Sequence, residues 1–509
     1  MGKLFKPGVP FVNNLKDTDT IVVFGEFDEI ESQISVLDFK TTVGGSTQVG
    51  ITTLVVADNG NDLTAVKGDS SFPYKTLIAA KNAANSGDTI LVMPGLYPLT
   101  QAAFDATPGS GNAQKKAASL WKDGIDWYFN AGAVVSLQTD ITTGAGIFHN
   151  IIDGGEICNV YGEGDFVWGG AAFVTNNTNS YIINVDSADI ECNFNANLCD
   201  GGEHEFPITT GGKLFDVRIR TLKNGKGGCI LVSGNNNKNS DTFNYHVGRI
   251  ESIMTAAAIS DSKDFGSTIK VLGGNGTTSF GRYKFNFEFG TIIENHKAAN
   301  EEGSLFHFSS AEIKCQINGK YAENTRTGSL AAELITTRGS SSAHSMTIQL
   351  HIDKCIADSL ASTGGLIVTH CDSSNGVRNQ VYITGTYECL DGPVVSDNSS
   401  GATNNNAEDY VINATLIGHL GPVVNVVKAN SNFTLSGRIV NKEAAATGDG
   451  IAITIAATGL KLKQLDIFCE NASAVSIAGS TATSIEASSL SANRAKEANV
   501  TLTAPTLVE

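Results

Sequence analysis

Methionine and proline are scarce in this chain, four and ten residues of 509, and charged side chains make up only 17%. Scarcity of this kind excludes a proline-rich stalk, a charge-driven disordered chain and a coiled coil. No apolar run approaches the ~18 residues of a membrane-spanning helix. The opening stretch MGKLFKPGVPFVNN lacks an apolar h-region and a small-residue cleavage site, so no signal peptide is expected. Lys6 stands where N-myristoylation wants Ser or Thr. No run of Lys and Arg exceeds two residues, and the formal charge is −17 with a pI near 5.0. A nucleic-acid partner is therefore not expected, since that affinity rests on neutralised phosphates. A neutral or weakly charged ligand fits better. The nine cysteines contain no CxxC pair, which removes zinc spacing. Gly-x-Ser-x-Gly and P-loop patterns are also missing, and no metal or other cofactor is expected.

Glycine is abundant, at 54 residues, and it marks a repeat. Short alternating runs centre on Gly248, Gly290, Gly319, Asp353, Gly385, Ala414, Gly437 and Asp466, separated by 42, 29, 34, 32, 29, 23 and 29 residues. A Gly-led apolar run follows many of them: GSLFHF after Gly303, GSLAAEL after Gly328, GGLIVTH after Gly364, GPVVSD after Gly392, GPVVNVV after Gly421 and GIAITIA after Gly450. A period of this size belongs to repeat architectures, whose units bury their apolar faces only by stacking.

Alternation with period two identifies strands. VYITGTYECL sets Val381, Ile383 and Gly385 on one face and Tyr382 and Thr384 on the other. Stacking two or three such strands per unit in register predicts an all-β fold, a right-handed parallel β-helix. Helical repeats are excluded because no convincing 3.6-residue period follows residue 130. A sandwich or propeller would need hairpin turns between runs, whereas Asn318-Gly319 falls inside one. Cysteines within the runs, such as Cys315, Cys355 and Cys389, read as small buried hydrophobes.

Four segments follow. Residues 1–50 read as an anchoring or oligomerising arm, with a strand at IVVFGEF and a strand or short helix in IESQISVLDFK. Residues 51–100 form a cap and first coil. Here Ser70 or Ser71 would cap a helix that puts Leu77, Ala80 and Ala84 on one face and stops at Gly87. Residues 101–490 form the β-helix, with an excursion over 101–120, and residues 491–509 a C-terminal strand or tail. The series Asp58-x-Gly60-Asn61-Asp62, Phe72-Pro73-Tyr74-Lys75-Thr76-Leu77, Gly87-Asp88-Thr89-Ile90 and Pro94-Gly95-Leu96-Tyr97 resembles the opening of pectate-lyase-like right-handed β-helix proteins. In that family the helix covers the open end of the solenoid, whose unpaired strand edges would otherwise aggregate. The stretch GIDWYFNAGAVV is similar to one in bacteriophage tail spike and fibre proteins of this fold.

Chemistry is sparsely signalled. Acidic residues are densest at Asp189, Glu191, Asp200, Glu203 and Glu205. Asp200, Glu203 and Glu205 are weak catalytic candidates only, because a solvated loop in an acidic chain explains them better. Arg218-Ile219-Arg220 fits two outward arginines on a strand. Trp121, Trp127, Tyr128 and Trp168 are candidate glycan-stacking residues, because a flat apolar ring complements pyranose C–H bonds; filling the core near the capped end is their other reading.

The resemblance implies a virion protein of a phage tail: a homotrimeric spike or fibre, joined to other tail proteins by its arm. It would bind a bacterial surface polysaccharide, and be made in the host cytoplasm without a leader. Its alternatives are a polysaccharide depolymerase (lyase or glycoside hydrolase) on the same fold, and a purely structural tail or baseplate part. Fold alone does not choose among them.

Overall fold

The computed structural model describes residues 20–24, 30–35, 52–137, 146–168, 181–187 and 189–202. Between 208 and 508 it describes the strands and a few flanking residues. Parallel sheets dominate. Long strands stack one on the next in an unbroken series of parallel pairings from Thr53–Val56 to Leu507–Val508, within a 20-stranded sheet. Short strands between them do the same. Gly146–Asn150, Tyr181–Asp186, Ile208–Gly211, Ile230–Ser233, Ile269–Leu272, Ser304–Phe308 and Glu333–Thr337 make a 7-stranded sheet. Ile367–Val368, Val395–Asp397, Val424–Val426, Ile451–Ile453 and Val475–Ile477 make a 5-stranded one. The chain thus alternates between a long and a short strand, an arrangement compatible with a β-helix. The Gly-led runs of the sequence supply short strands, except that the one after Gly328 begins only at Glu333.

Side-chain alternation sets inside from outside. In Leu214–Asn224, Phe215, Val217 and Ile219 are buried while Arg218 and Arg220 face solvent. Parallel pairing in register then stacks like on like: Phe215 lies over Phe243 with ring centroids 5.9 Å apart. Cys158, Cys192, Cys199, Cys229, Cys355, Cys389 and Cys469 are buried free thiols. Burial pushes the Cys158 thiol up to about 12, so it packs as a hydrophobe.

Several of the small residues at strand centres meet one another across neighbouring strands. Gly385, Ala414 and Gly437 lie opposite one another on successive coils. A Cβ at Gly385 would collide with the Ile352 carbonyl oxygen, and its φ of +114° is one that side chains resist. Two of the eight centres are displaced by one residue: Ile352, not Asp353, faces Gly385, and Asp466 faces Arg438. Bulges between Ile352 and Cys355 and between Leu435 and Gly437 absorb the difference.

At the N-terminal end, helix Leu77–Ala83 buries Leu77 and Ala80, with Ala84 just beyond, on one face. Its cap is Thr76, not Ser70 or Ser71. The Thr76 hydroxyl accepts from the Ala79 N–H (3.2 Å) and donates to Asp62 Oδ2 (2.8 Å). Asp62 Oδ1 takes the Lys75 and Thr76 N–H groups. Ser70 and Ser71 lie in a turn closed by the Phe72 N–H to the Asp69 carbonyl (3.2 Å), and Tyr74 bridges to Val56, so the helix starts only after them. Asp88, 3% exposed, binds the Thr52 N–H (3.2 Å), the Asn85 N–H and the Lys67 ammonium. The buried Tyr97 hydroxyl donates to the Met93 carbonyl at 2.7 Å. The Asp, Gly-Asp and Tyr positions of the opening motif therefore tie its loop, helix and first strands together. Short helices Gln101–Asp105 and Gly111–Ala118 occupy the excursion. In the arm, strands Thr20–Phe24 and Ile30–Ser35 pair antiparallel in a sheet of their own.

Candidate functional site

Period-two geometry separates the aromatic candidates. In strand Ile125–Phe129, Trp127 points inward with Ile125 and Phe129, fully buried, and its Nε1 donates to the Leu120 carbonyl (3.1 Å). Trp121 is 2% exposed and donates from Nε1 to Glu156 Oε2 (2.6 Å). Neither indole can meet a glycan; both fill the interior near the capped end. Tyr128 faces the other way and is 41% exposed. Trp168 is half-buried, with Gly202 close against its ring.

Asp200 ends strand Glu191–Asp200, where it pairs in register with Val167 and Lys223. Its carboxylate accepts from the Gly202 N–H at 3.0 Å and so shapes the turn beside Trp168. Glu203 and Glu205 lie outside the described residues. Of the named candidates, the structure brings together Asp200 and Trp168.

Around Tyr128 a different set of residues assembles. Tyr161 stands opposite it on the next coil, ~4.8 Å away along the stack. Beside the two rings runs a polar ladder. Asn159 Nδ2 donates to Asp126 Oδ1 (2.9 Å), and Asn193 Nδ2 donates to Asn159 Oδ1 (3.0 Å). Burial, then the Asp126 charge, raises the Tyr161 phenol above its ordinary 10.0, so it remains a neutral donor and acceptor. Two phenols flanked by amides and a carboxylate on a stiff sheet offer both apolar ring faces and bidentate hydrogen-bonding groups. Composition alone does not reveal this ladder. Its sequence signal is an outward polar residue recurring at separations of 33 and 34 residues through IDWYF, CNVYG and ECNFN.

Elsewhere on the outer surface, carboxylates are held by basic side chains. Burial alone would raise the Glu251 carboxyl, but hydrogen bonds and charge from Arg249 (2.6 Å) and Lys223 (3.3 Å) bring it below its ordinary value. Glu388 behaves likewise: burial is outweighed by His419 (2.9 Å) and Lys442 (3.2 Å). Carboxylates so depressed stay ionised at neutral pH and are unsuited to act as general acids. Among the described residues, no group of three or more His, Cys, Asp or Glu is placed to hold a metal ion. Nor, among them, is any helix long and apolar enough to cross a membrane. Neither a protein-family model, nor a curated protein, nor a solved structure matches the chain.

Proposed function

We propose that this chain is a tail spike or fibre protein of a bacteriophage. On this reading it is a right-handed, pectate-lyase-like β-helix, assembled as a homotrimer behind its N-terminal arm, that attaches to a bacterial surface polysaccharide. The observation that carries the binding part is the outward pair Tyr128 and Tyr161 beside the Asp126, Asn159 and Asn193 ladder. Sugars combine apolar C–H faces with vicinal hydroxyls, and this surface presents partners for both. A stack of parallel coils suits a part that must stay stiff outside a cell, because every coil is braced by its neighbours.

Binding of the full-length chain to a panel of purified bacterial surface polysaccharides tests the reading. One member should bind, and Tyr128→Ala should weaken it about tenfold, equivalent to ~1.4 kcal/mol, with the fold unchanged. No binding across the panel, or binding indifferent to Tyr128→Ala and Tyr161→Ala, overturns the assignment of this face. Light scattering tests assembly separately: a mass near three times 53.3 kDa is expected, falling to a single chain when the protein starts at residue 51. A full-length monomer would sink the homotrimer.

A further inference from the structure

The loop that precedes the capping helix is built rigidly yet shows apolar side chains to solvent. Its backbone is closed by Asn61 N–H to Pro73 O (3.0 Å), Val66 N–H to Phe72 O (3.0 Å), Asp69 N–H to Val66 O (3.1 Å) and Phe72 N–H to Asp69 O (3.2 Å). Asn61 and Asp69 side chains fasten it further through the Leu63 and Ser71 N–H groups. Lys67 anchors its base to the buried Asp88. On this frame Leu63 is 95%, Val66 49% and Phe72 50% exposed. Apolar groups presented on a pre-ordered loop mark a contact surface, since little further ordering is needed when a partner arrives.

The N-terminal arm joins the body at this loop. Thr52, the first residue of the described body, donates its N–H to the same Asp88 that holds Lys67. Gly68 of the loop lies against the Thr52 side chain. Charge then selects one part of the arm. The loop carries Asp58, Asp62 and Asp69 against Lys67, which is already paired with Asp88, and the exposed Lys75 at the helix end of the loop. Residues 17–38 of the arm are themselves acidic, with Asp17, Asp19, Glu26, Asp28, Glu29, Glu31 and Asp38 and no Lys or Arg. Residues 1–16 carry Lys3, Lys6 and Lys16 and no acid, interleaved with Leu4, Phe5, Val9, Phe11 and Val12.

We propose that the apolar tip formed by Leu63, Val66 and Phe72 is the docking surface for residues 3–12 of the same chain. Leu4, Phe5 and Phe11 cover the tip, and Lys3 and Lys6 meet the loop aspartates. The surface is independent of the tyrosine face and does not require the polysaccharide reading.

Hydrogen–deuterium exchange on the full-length chain, followed by mass spectrometry at several protein concentrations, decides the matter. Amides of residues 3–12 should exchange at least about tenfold slower than in a free peptide of that sequence, whatever the protein concentration. Leu63→Ser with Phe72→Ser should abolish the protection, and Lys3→Glu with Lys6→Glu should do so independently, with Leu54 and Ile90 amides unchanged in both. Free-peptide exchange in the unmodified chain overturns the proposal, as does protection that survives both variants. Protection that grows with concentration also overturns it, assigning the loop to a neighbouring copy.

Discussion

Both ring nitrogens of His149 are buried without a hydrogen-bond partner among the described residues, in a side chain 1% exposed. Burial first, and then the charge of Lys115, lower its pKa from 6.5 to about 4. The folded chain therefore keeps this imidazole neutral in mildly acidic solution, whereas the unfolded chain protonates it. Its contribution to stability is full above pH 6.5 and is lost as pH falls towards 4, by ~3 kcal/mol in the limit. His149→Leu should flatten that part of the pH dependence and raise stability at pH about 5 by on the order of 1 kcal/mol, since it removes unsatisfied buried atoms. Urea unfolding of both proteins at neutral pH and near pH 5 measures this; parallel pH profiles would mean that the ring is hydrated or paired. A second contrast lies at neighbouring positions. Trp127→Ala should cost about 3–5 kcal/mol by emptying the interior, while Tyr128→Ala on the outer face should stay within ~1 kcal/mol. A larger loss from Tyr128→Ala than from Trp127→Ala on thermal or denaturant unfolding would show that the inward and outward sides of this strand have been exchanged.

At the level of the element, the close approach of backbones at the strand centres sets what can change. Gly385→Ala meets the Ile352 carbonyl and must also hold a φ of +114°, so a loss of at least ~2–3 kcal/mol is expected. Gly87→Ala carries similar backbone strain, φ +89°, but its Cβ would meet nothing within 4 Å, and about 1 kcal/mol should suffice. Unfolding midpoints of the two variants separate collision from strain; a similar loss in both would remove the close approach as the reason for glycine. The alternation and the small central residues are local, which is why the strands are legible in the sequence. Register is not local. Whether Ile352 or Asp353 faces Gly385 depends on a bulge in one strand relative to its partner, and no single run contains that information. The helix cap failed for the same reason: Thr76 is selected by Asp62, fourteen residues away. The site was partly readable. In IDWYF the shared phase of Ile125, Trp127 and Phe129 already sends Trp127 inward and Tyr128 outward, whereas Trp121 sits outside any strand and its burial depends on Glu156, thirty-five residues on.

For the whole molecule, the unbroken column of parallel pairings means that each long strand is stabilised chiefly by the strand before it and the strand after it in the stack. Stability then approximates a sum of nearest-neighbour terms, and a defect need not unfold everything. The two ends of the stack are not equal. Trp121, Trp127, Phe129, Phe148, Phe166, Phe194, Phe215 and Phe243 fill the interior of the first coils. From Val394 to Cys469 the described buried hydrophobics are Val, Ile, Leu, Ala and Cys, with Tyr410 the single ring. Smaller side chains remove less apolar surface from water per coil, and the C-terminal end has no capping helix among its described residues. Gly385→Val should therefore speed amide exchange from about residue 379 to the last coils by ten-fold or more. Strands from Thr53–Val56 to Leu214–Asn224 should change less than about twofold, in keeping with nearest-neighbour coupling. Exchange accelerated evenly along the whole chain would instead require long-range cooperativity, supplied by contacts between copies in the proposed trimer rather than by the strand stack. The same experiment over a range of protein concentrations distinguishes these sources, because only coupling between copies disappears on dilution.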